Sequence, residues 1–186
     1  KSSNYRIFNI RKKIECSIFD LKISLPGKKL RILKNIKIPI IGIHNIRNAT
    51  ASLAVSSSIG ISDTTIKKGL NKYEGVQRRF NKLFIFQESI FFDDYAHHPT
   101  EIREVLKGAK EVYKNRKITC VFQPHRVSRL KNLRKKFASA FENADTVLLC
   151  PIYKAGENIL LGFSYEKFAK EIINKSKVKL VFVDDQ

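Results

Sequence analysis

After Gly75, short apolar runs alternate with stretches of helical periodicity, and no other feature limits the possible folds as strongly. The apolar runs lie at 118–122, 146–150 and 178–183. Continuous runs of this length predict strands that are buried on both faces. Apolar residues at helical spacing predict three helices, which begin near Pro99, Leu130 and Tyr165. The first precedes these runs, and the other two lie between them. We therefore expect an α/β domain with a mostly parallel, Rossmann-like sheet.

The residues before Gly75 follow a different pattern. Runs of β type at 14–23 and 30–41 flank the turn signal Pro26-Gly27 and predict the edge of a sheet. A helix is predicted from 45 to 59, and Ser62 is placed to cap a second one. Two more short strands are expected around the turn at 87–89. The change of pattern at Gly75 thus predicts two domains.

Composition excludes several classes of protein. With 43% hydrophobic residues in 186, the chain has enough apolar material for a packed core and is not disordered as a whole. No apolar run approaches the ~20 residues of a membrane span. The three cysteines are far apart, which argues against a disulfide framework and favours a reduced, cytoplasmic location. Because the first residue is Lys, we expect a piece of a longer chain.

The net charge of +19 leaves two interpretations open. A sequence pI near 10 is typical of proteins that bind nucleic acid. However, the lysines are scattered, and the dominance of Lys, Ile, Asn and Phe is expected of an A+T-rich genome. We favour the compositional explanation. The same positive potential would also attract a polyanionic small substrate.

Polar clusters follow three of the predicted strands. The first runs from Asp93 to Pro99, the second from Gln123 to Arg126 with Arg129 beyond it, and the third from Pro151 to Glu157. Since ligands of open α/β sheets bind beyond the carboxyl ends of the strands, these clusters predict one binding cleft.

The residue types in the cleft suggest its chemistry. Asp94 could accept hydrogen bonds from a ribose diol or hold a turn. His125, Arg126 and Arg129 offer donors that suit a carboxylate or a phosphate. Adjacent residues point in different directions, so His97 and His98 are unlike a metal site and we expect no metal ligand here.

The order of these motifs resembles the Mur ligases, and within them the members that add L-alanine to UDP-N-acetylmuramate. The resemblance rests on Gly42-x-His44-Asn45-x-x-Asn48-Ala49, Gly75-Val76-Gln77-Arg78-Arg79-Phe80, Asp93-Asp94-Tyr95-Ala96-His97-His98-Pro99-Thr100-Glu101, Gln123-Pro124-His125-Arg126-x-Ser128-Arg129 and Tyr153-x-Ala155-Gly156-Glu157. It covers nearly the whole chain, and it implies that residues 1–77 end a central ATP-binding domain and that 78–186 form most of a C-terminal, amino-acid-binding domain.

The resemblance also implies a reaction and its site residues. The reaction is an ATP-dependent amide synthesis through an acyl phosphate, in the synthesis of peptidoglycan precursors. The matching positions are Asn45, Asn48, Arg79 and Asp94 for ATP, and Tyr95, His97, His125, Arg126 and Arg129 for the amino acid. His44 matches a motif position to which we assign no role.

Some parts of the family pattern lie elsewhere. The sequence has no P-loop, so the resemblance places the P-loop lysine and the Mg²⁺ ligands outside this chain, which alone is expected to be inactive. Two alternatives remain open: the sister ligase that attaches a recycled murein peptide to UDP-N-acetylmuramate, and a basic nucleic-acid-binding module. The segment Gln123 to Arg126 favours the alanine-adding ligase, and oligomeric state is not predicted.

Overall fold

The computed structural model describes residues 3–158 and 163–183. The chain divides into two compact units, residues 1–81 and residues 82–186. In the described part of the chain, no helix combines the length and the apolar character needed to cross a membrane.

The first unit packs two helices on a three-stranded antiparallel sheet. The strands are β1 (Tyr5–Lys12), β2 (Ser17–Ile23) and β3 (Arg31–Ile38), in the order β1-β2-β3. The helices are α1 (Ile43–Ser58) and α2 (Asp63–Asn71). Apolar residues of β2 and β3 form the core with Ile46 and Leu53 of α1 and Ile66 of α2.

Both helices were predicted, and so were β2 and β3. The Ser62 hydroxyl accepts a hydrogen bond from the Thr65 N–H and caps α2, as the sequence predicts. Strand β1 was not predicted. It is an edge strand with basic residues and mostly exposed side chains, so it carries little of the apolar signal on which strand prediction depends.

The second unit begins with a hairpin and continues as an α/β layer. The hairpin consists of β4 (Asn81–Phe86) and β5 (Ser89–Asp93). The parallel sheet has the order β6-β7-β8, with β6 (Thr119–Phe122), β7 (Thr146–Leu149) and β8 (Lys179–Phe182). The helices are α3 (Pro99–Val112), α4 (Val127–Asn132), α5 (Arg134–Ala138) and α6 (Tyr165–Ser176). The α/β class and the parallel sheet are confirmed.

Two details differ from the sequence-based expectation. The apolar residues from Leu130 to Phe141 predict one helix, whereas the structure has α4 and α5 with a break at Leu133. Spacing alone cannot show this break, because Leu130 and Phe137 are both buried in the same core. In addition, β5 pairs with β4 in a separate two-stranded sheet instead of extending the parallel sheet.

The helices bring the loop after β5 to the core of the second unit. Ile102 and Leu106 of α3 pack in the same apolar cluster as Phe122 of β6 and Val147 of β7. The segment before α3 therefore lies beside the parallel sheet, even though β5 is not a strand of that sheet.

Candidate functional site

The start of α1 carries the two predicted asparagines three residues apart. The Asn45 Nδ2 donates to the Ile41 carbonyl at 2.7 Å, so this amide is held and its oxygen is oriented. Asn48 is exposed on the following turn. Gly42 begins the helix at φ 98°, and a Cβ there would lie 2.6 Å from Cε1 of the His44 ring. The His44 imidazole thus lies against Gly42, which fixes how the chain enters α1.

Arg79 lies in a strained segment at the end of the first unit. Arg78 and Phe80 on either side have φ values of 58° and 54°, a region that residues other than glycine rarely occupy. The Arg79 N–H donates to the Asn81 Oδ1 at 3.1 Å, and the residue is exposed. The strain on both sides restricts the backbone at Arg79.

The loop between β5 and α3 is held by Asp94. Its Oδ1 accepts the Ala96 N–H at 2.7 Å, which is the turn role that the sequence left open. Tyr95 is 46% exposed, and its ring meets the His97 ring edge to face at 5.1 Å. The His97 Nδ1 lies 2.9 Å from the Tyr95 carbonyl. Since a carbonyl only accepts, the His97 Nδ1 donates to it.

His98 and Glu101 begin helix α3. The His98 Nδ1 accepts the Thr100 N–H at 3.3 Å, and the Glu101 Oε2 accepts the N–H groups of His97 and His98 at 3.1 and 3.2 Å. This is a capping box, with Pro99 in the first turn. His98 is therefore a structural residue, while the His97 side chain approaches the cap only through Nδ1, which lies 3.8 Å from the Glu101 Oε2.

The loop after β6 carries His125, Arg126 and Arg129. Arg126 precedes α4 with φ 70°, and its side chain is exposed. Arg129 lies on α4, and its Nη1 is buried without a hydrogen-bond partner among the residues that the structure describes. A buried donor of a charged group that stays unbonded is costly, so this atom is the clearest open position of the site.

The loop after β7 is bound to the loop after β6. His125 and Tyr153 form a parallel bridge, and their rings lie 5.1 Å apart. The Arg126 N–H donates to the Tyr153 carbonyl, and the Tyr153 N–H donates to the Pro124 carbonyl, both at 2.9 Å. These contacts continue the parallel pairing of β6 and β7 beyond the strands.

Electrostatics show that the cationic groups converge on His125. Burial lowers the pKa of His125, and the charges of Arg129, Arg126 and His97 lower it further, while Glu157 raises it. The lowered pKa favours the neutral imidazole at neutral pH. The effect of His97 also indicates that the loop before α3 reaches the same edge as the loop before α4.

The structure thus brings His97, His125, Arg126 and Arg129 together, as the order of the motifs predicts. It adds Tyr153 and Glu157, to which we assigned no role from the sequence. The Glu157 carboxylate accepts the Ser128 N–H at 2.8 Å and the Ser128 hydroxyl at 2.7 Å. In the sequence, the feature that pointed to Glu157 was its place in the polar cluster that follows the predicted strand at 146–150. Within the described residues, no three His, Cys, Asp or Glu side chains are grouped to hold a metal ion.

Two sequence relatives of the chain carry the same name. It is 59% identical over 184 residues to the UDP-N-acetylmuramate–L-alanine ligase of Pelagibacter ubique, a match that covers 99% of this chain and 40% of the relative. It is 43% identical over 172 residues to the enzyme of the same name from Rhizobium meliloti, covering 91% of this chain and 36% of the relative. The chain therefore spans well under half the length of these relatives.

Solved structures agree on the fold. The UDP-N-acetylmuramate-alanine ligase of Thermotoga maritima matches with a TM-score of 0.75 and 29% identity, over 100% of this chain and 38% of that one. A murein peptide ligase from Psychrobacter arcticus matches with a TM-score of 0.64 and 22% identity, over 99% of this chain and 37% of that one, which is a likeness of fold alone.

A family model described as "Mur ligase, glutamate ligase domain" matches residues 78–186, which is more than half of the chain. This match includes the loops that carry His97, His125, Arg126, Arg129 and Glu157. The chain therefore belongs to the Mur ligase family.

Proposed function

We propose that this chain is part of an ATP-dependent ligase that adds L-alanine to UDP-N-acetylmuramate in the synthesis of peptidoglycan precursors in the cytoplasm. The names of the relatives at 59% and 43% identity support this substrate pair. The sister ligase that attaches a murein peptide is less well supported, since the murein peptide ligase shares only 22% of the residues. In this proposal residues 1–77 end the central ATP-binding domain, and residues 78–186 belong to the C-terminal domain.

The observation that carries the proposal is the unfilled donor on Arg129. Its buried Nη1 has no acceptor in the described chain, and Arg126 and His125 lie beside it. The carboxylate of a free amino acid would supply that acceptor, and a guanidinium can hold it through two parallel hydrogen bonds. Because His125 is neutral, its imidazole can contact the amino group of alanine without electrostatic repulsion.

This arrangement suits the second half of an amide synthesis. The first half converts the UDP-N-acetylmuramate carboxylate to an acyl phosphate, and the amine of alanine then attacks the acyl carbon while phosphate leaves. In this proposal Arg126 and Arg129 hold the carboxylate of alanine at one end. The amine at the other end is thereby positioned for attack, and positioning of this kind accounts for a large share of the rate.

The proposed ATP site combines residues of this chain with groups outside this sequence. We propose that Asn45 and Asn48 contact adenine and that Arg79 and Asp94 lie near the ribose and phosphates. Mg²⁺, when bound, would neutralise phosphate charge, but the described residues offer no group of ligands for it, and the sequence has no P-loop. We therefore derive no step through the metal and expect no ligation by the 186 residues alone.

Arg129→Lys in the full-length ligase tests the proposal. Lysine keeps the charge but cannot form the bidentate contact, so the KM for L-alanine should rise by roughly tenfold or more while the KM for ATP stays level. Steady-state titrations of both substrates measure the two constants. Lys131→Arg, at an exposed position two residues further along the same helix, is the matched control and should change neither. An unchanged alanine constant for Arg129→Lys would contradict the proposal.

A further inference from the structure

Helix α4 begins without a side-chain cap of its own. Arg126 occupies the N-cap position with φ 70° and ψ 126°, and its side chain makes no capping hydrogen bond. A residue with a side chain persists in this strained conformation only where its surroundings hold it. The two arginines of the proposed site flank this start, since Arg126 precedes the helix and Arg129 lies on its first turn.

Glu157 supplies the missing cap from another loop. Its Oε2 accepts the Ser128 N–H at 2.8 Å and its Oε1 accepts the Ser128 hydroxyl at 2.7 Å, so both oxygens bind one residue. Ser128 lies between Arg126 and Arg129 in the sequence. A carboxylate bound to Ser128 at two points therefore fixes the backbone that carries both guanidinium groups.

A tight turn aims Glu157 at this helix. The Glu157 N–H donates to the Lys154 carbonyl at 3.0 Å, which closes a four-residue turn. Both central residues have positive φ, 51° at Ala155 and 81° at Gly156. The turn reverses the chain after Tyr153, whose carbonyl holds the Arg126 N–H. Residues 153–157, which we call the clamp segment, thus contact both Arg126 and Ser128.

The charge of Glu157 acts on the same groups. Hydrogen bonds from the Ser128 N–H and hydroxyl lower the pKa of Glu157, so that it is ionised at neutral pH. Arg126 contributes to the same shift. At His125, Glu157 opposes the effects of Arg129, Arg126 and His97. Glu157 is therefore a counter-charge to the cationic groups of this loop.

We propose that Glu157 is a positioning residue that holds Arg126 and Arg129 in the geometry that receives the carboxylate of the incoming amino acid. This inference rests on the proposed function of the site formed by His97, His125, Arg126 and Arg129. It differs from a direct substrate contact because both Glu157 oxygens are already occupied by Ser128.

Glu157→Gln in the full-length ligase is the main test. Glutamine keeps the shape but loses the charge, so it can bind the Ser128 N–H and hydroxyl only through neutral, weaker hydrogen bonds and holds the two arginines less firmly. We expect the KM for L-alanine to rise by about tenfold or more, since misplacement by 1 Å costs up to about 100-fold, and the KM for ATP to stay level. Glu171→Gln is the matched control, because Glu171 holds the Arg134 Nε at 2.7 Å in the same unit and should leave both constants unchanged.

A milder variant covers the case in which Glu157→Gln does not fold. Ser128→Ala removes only the hydroxyl bond and should raise the alanine KM a few-fold. The effects of Glu157→Gln and Ser128→Ala should be less than additive in the double variant, because both changes weaken the same contact. If Glu157 acted only as a negative charge, its removal would strengthen binding of a carboxylate, so an unchanged or lower alanine KM would overturn the inference.

A readout without turnover separates this inference from the proposed function. In the 186-residue chain, NMR titration should give a lower His125 pKa for Glu157→Gln and an unchanged one for Glu171→Gln, and the Ser128 amide signal should shift in the first variant only. If the wild-type ligase did not use L-alanine, the proposed function would fail, but these signals would still test the clamp segment. Unchanged His125 and Ser128 signals would overturn it.

Discussion

Asp20 in the first unit and Arg129 in the second are both charged residues with buried polar atoms, but their surroundings differ. Asp20 is 6% exposed, and its carboxylate accepts the Asn9 Nδ2 at 3.0 Å, the Asn35 N–H at 2.8 Å and the Arg11 Nη2 at 3.5 Å. Arg129 has a buried Nη1 with no acceptor in the chain that the structure describes. One network is closed, and the other is open.

The closed network has a task in the fold. Both ladders of the first sheet shift register beside Asp20, one between Phe8 and Arg11 and the other between Phe19 and Leu21. Asn9 and Asn35 adopt left-handed φ values of 49° and 56° at these shifts. Asp20 thus holds two β-bulges together. The difference teaches that a saturated buried charge maintains the backbone, whereas an unsaturated one is available to a ligand.

Asp20→Ala should have the largest effect on stability. It leaves the Asn9 amide and the Asn35 N–H without their acceptor, while the Arg11 Nη2 keeps the Asn35 Oδ1 at 2.8 Å, and we expect a cost of about 3 kcal/mol of unfolding free energy. Urea unfolding followed by the amide NMR signals of residues 3–81 measures this cost. Asp63→Ala is the control in the same unit, because its pairing with Arg31 at 3.2 Å is partly exposed and should be worth about 0.5 kcal/mol. Equal losses in both variants would remove the special role of Asp20.

Acid should weaken the same network in wild type. Hydrogen bonds from Asn35 and Asn9 lower the pKa of Asp20 below its ordinary value. A carboxyl group with a lowered folded-state pKa contributes its full stabilisation above the unfolded value of about 3.9 and loses it as the pH falls through the folded value. The stability difference between wild type and Asp20→Asn should therefore be constant from pH 7 to about 5 and shrink below about pH 4. Urea unfolding at pH 7, 4 and 2.5 checks this, and a difference that stayed constant would contradict it.

Arg129→Met should have the smallest effect on stability. The variant removes an unbonded donor and relieves the repulsion between the Arg129 and Arg126 guanidinium groups, so the unfolding free energy should change by less than about 1 kcal/mol or increase. The same urea titration, read from residues 82–158, gives the value. A loss near that of Asp20→Ala would show that Arg129 supports the fold and that its open donor is not reserved for a ligand.

The sequence predicted the parallel layer, its strands and most of its helices, because buried strands and amphipathic helices carry strong apolar patterns. Strand β1 and the break at Leu133 carry no such pattern, so they were not predicted. Asp20 lies inside a run that was correctly predicted as a strand, but its bulges depend on the partner strands. No local signal in residues 14–23 indicates two register shifts.

The candidate site was predictable in its members but not in its connections. The order of the motifs placed His97, His125, Arg126 and Arg129 at one edge, and the electrostatics of His125 agree with that placement. The capping role of His98 and the contact of Glu157 with Ser128 arise from hydrogen bonds between or within loops. Such contacts depend on backbone geometry, which residue types and spacing do not specify. The roles of the site residues toward ATP and alanine remain predictions.

The central claim is that the open donor of Arg129 receives the carboxylate of the amino acid. The most direct measurement compares L-alanine with L-alaninamide, which keeps the amine but lacks the carboxylate, as substrates of the full-length ligase and of its Arg129→Met variant. We predict that the wild-type ligase prefers alanine in kcat/KM by at least about 100-fold, since two charge-assisted hydrogen bonds are worth about 3 kcal/mol or more, and that the preference falls by at least about tenfold in Arg129→Met, in which Arg126 still faces the carboxylate. An undiminished kcat/KM preference for alanine over alaninamide in Arg129→Met would show that Arg129 does not hold the carboxylate and would contradict the proposal.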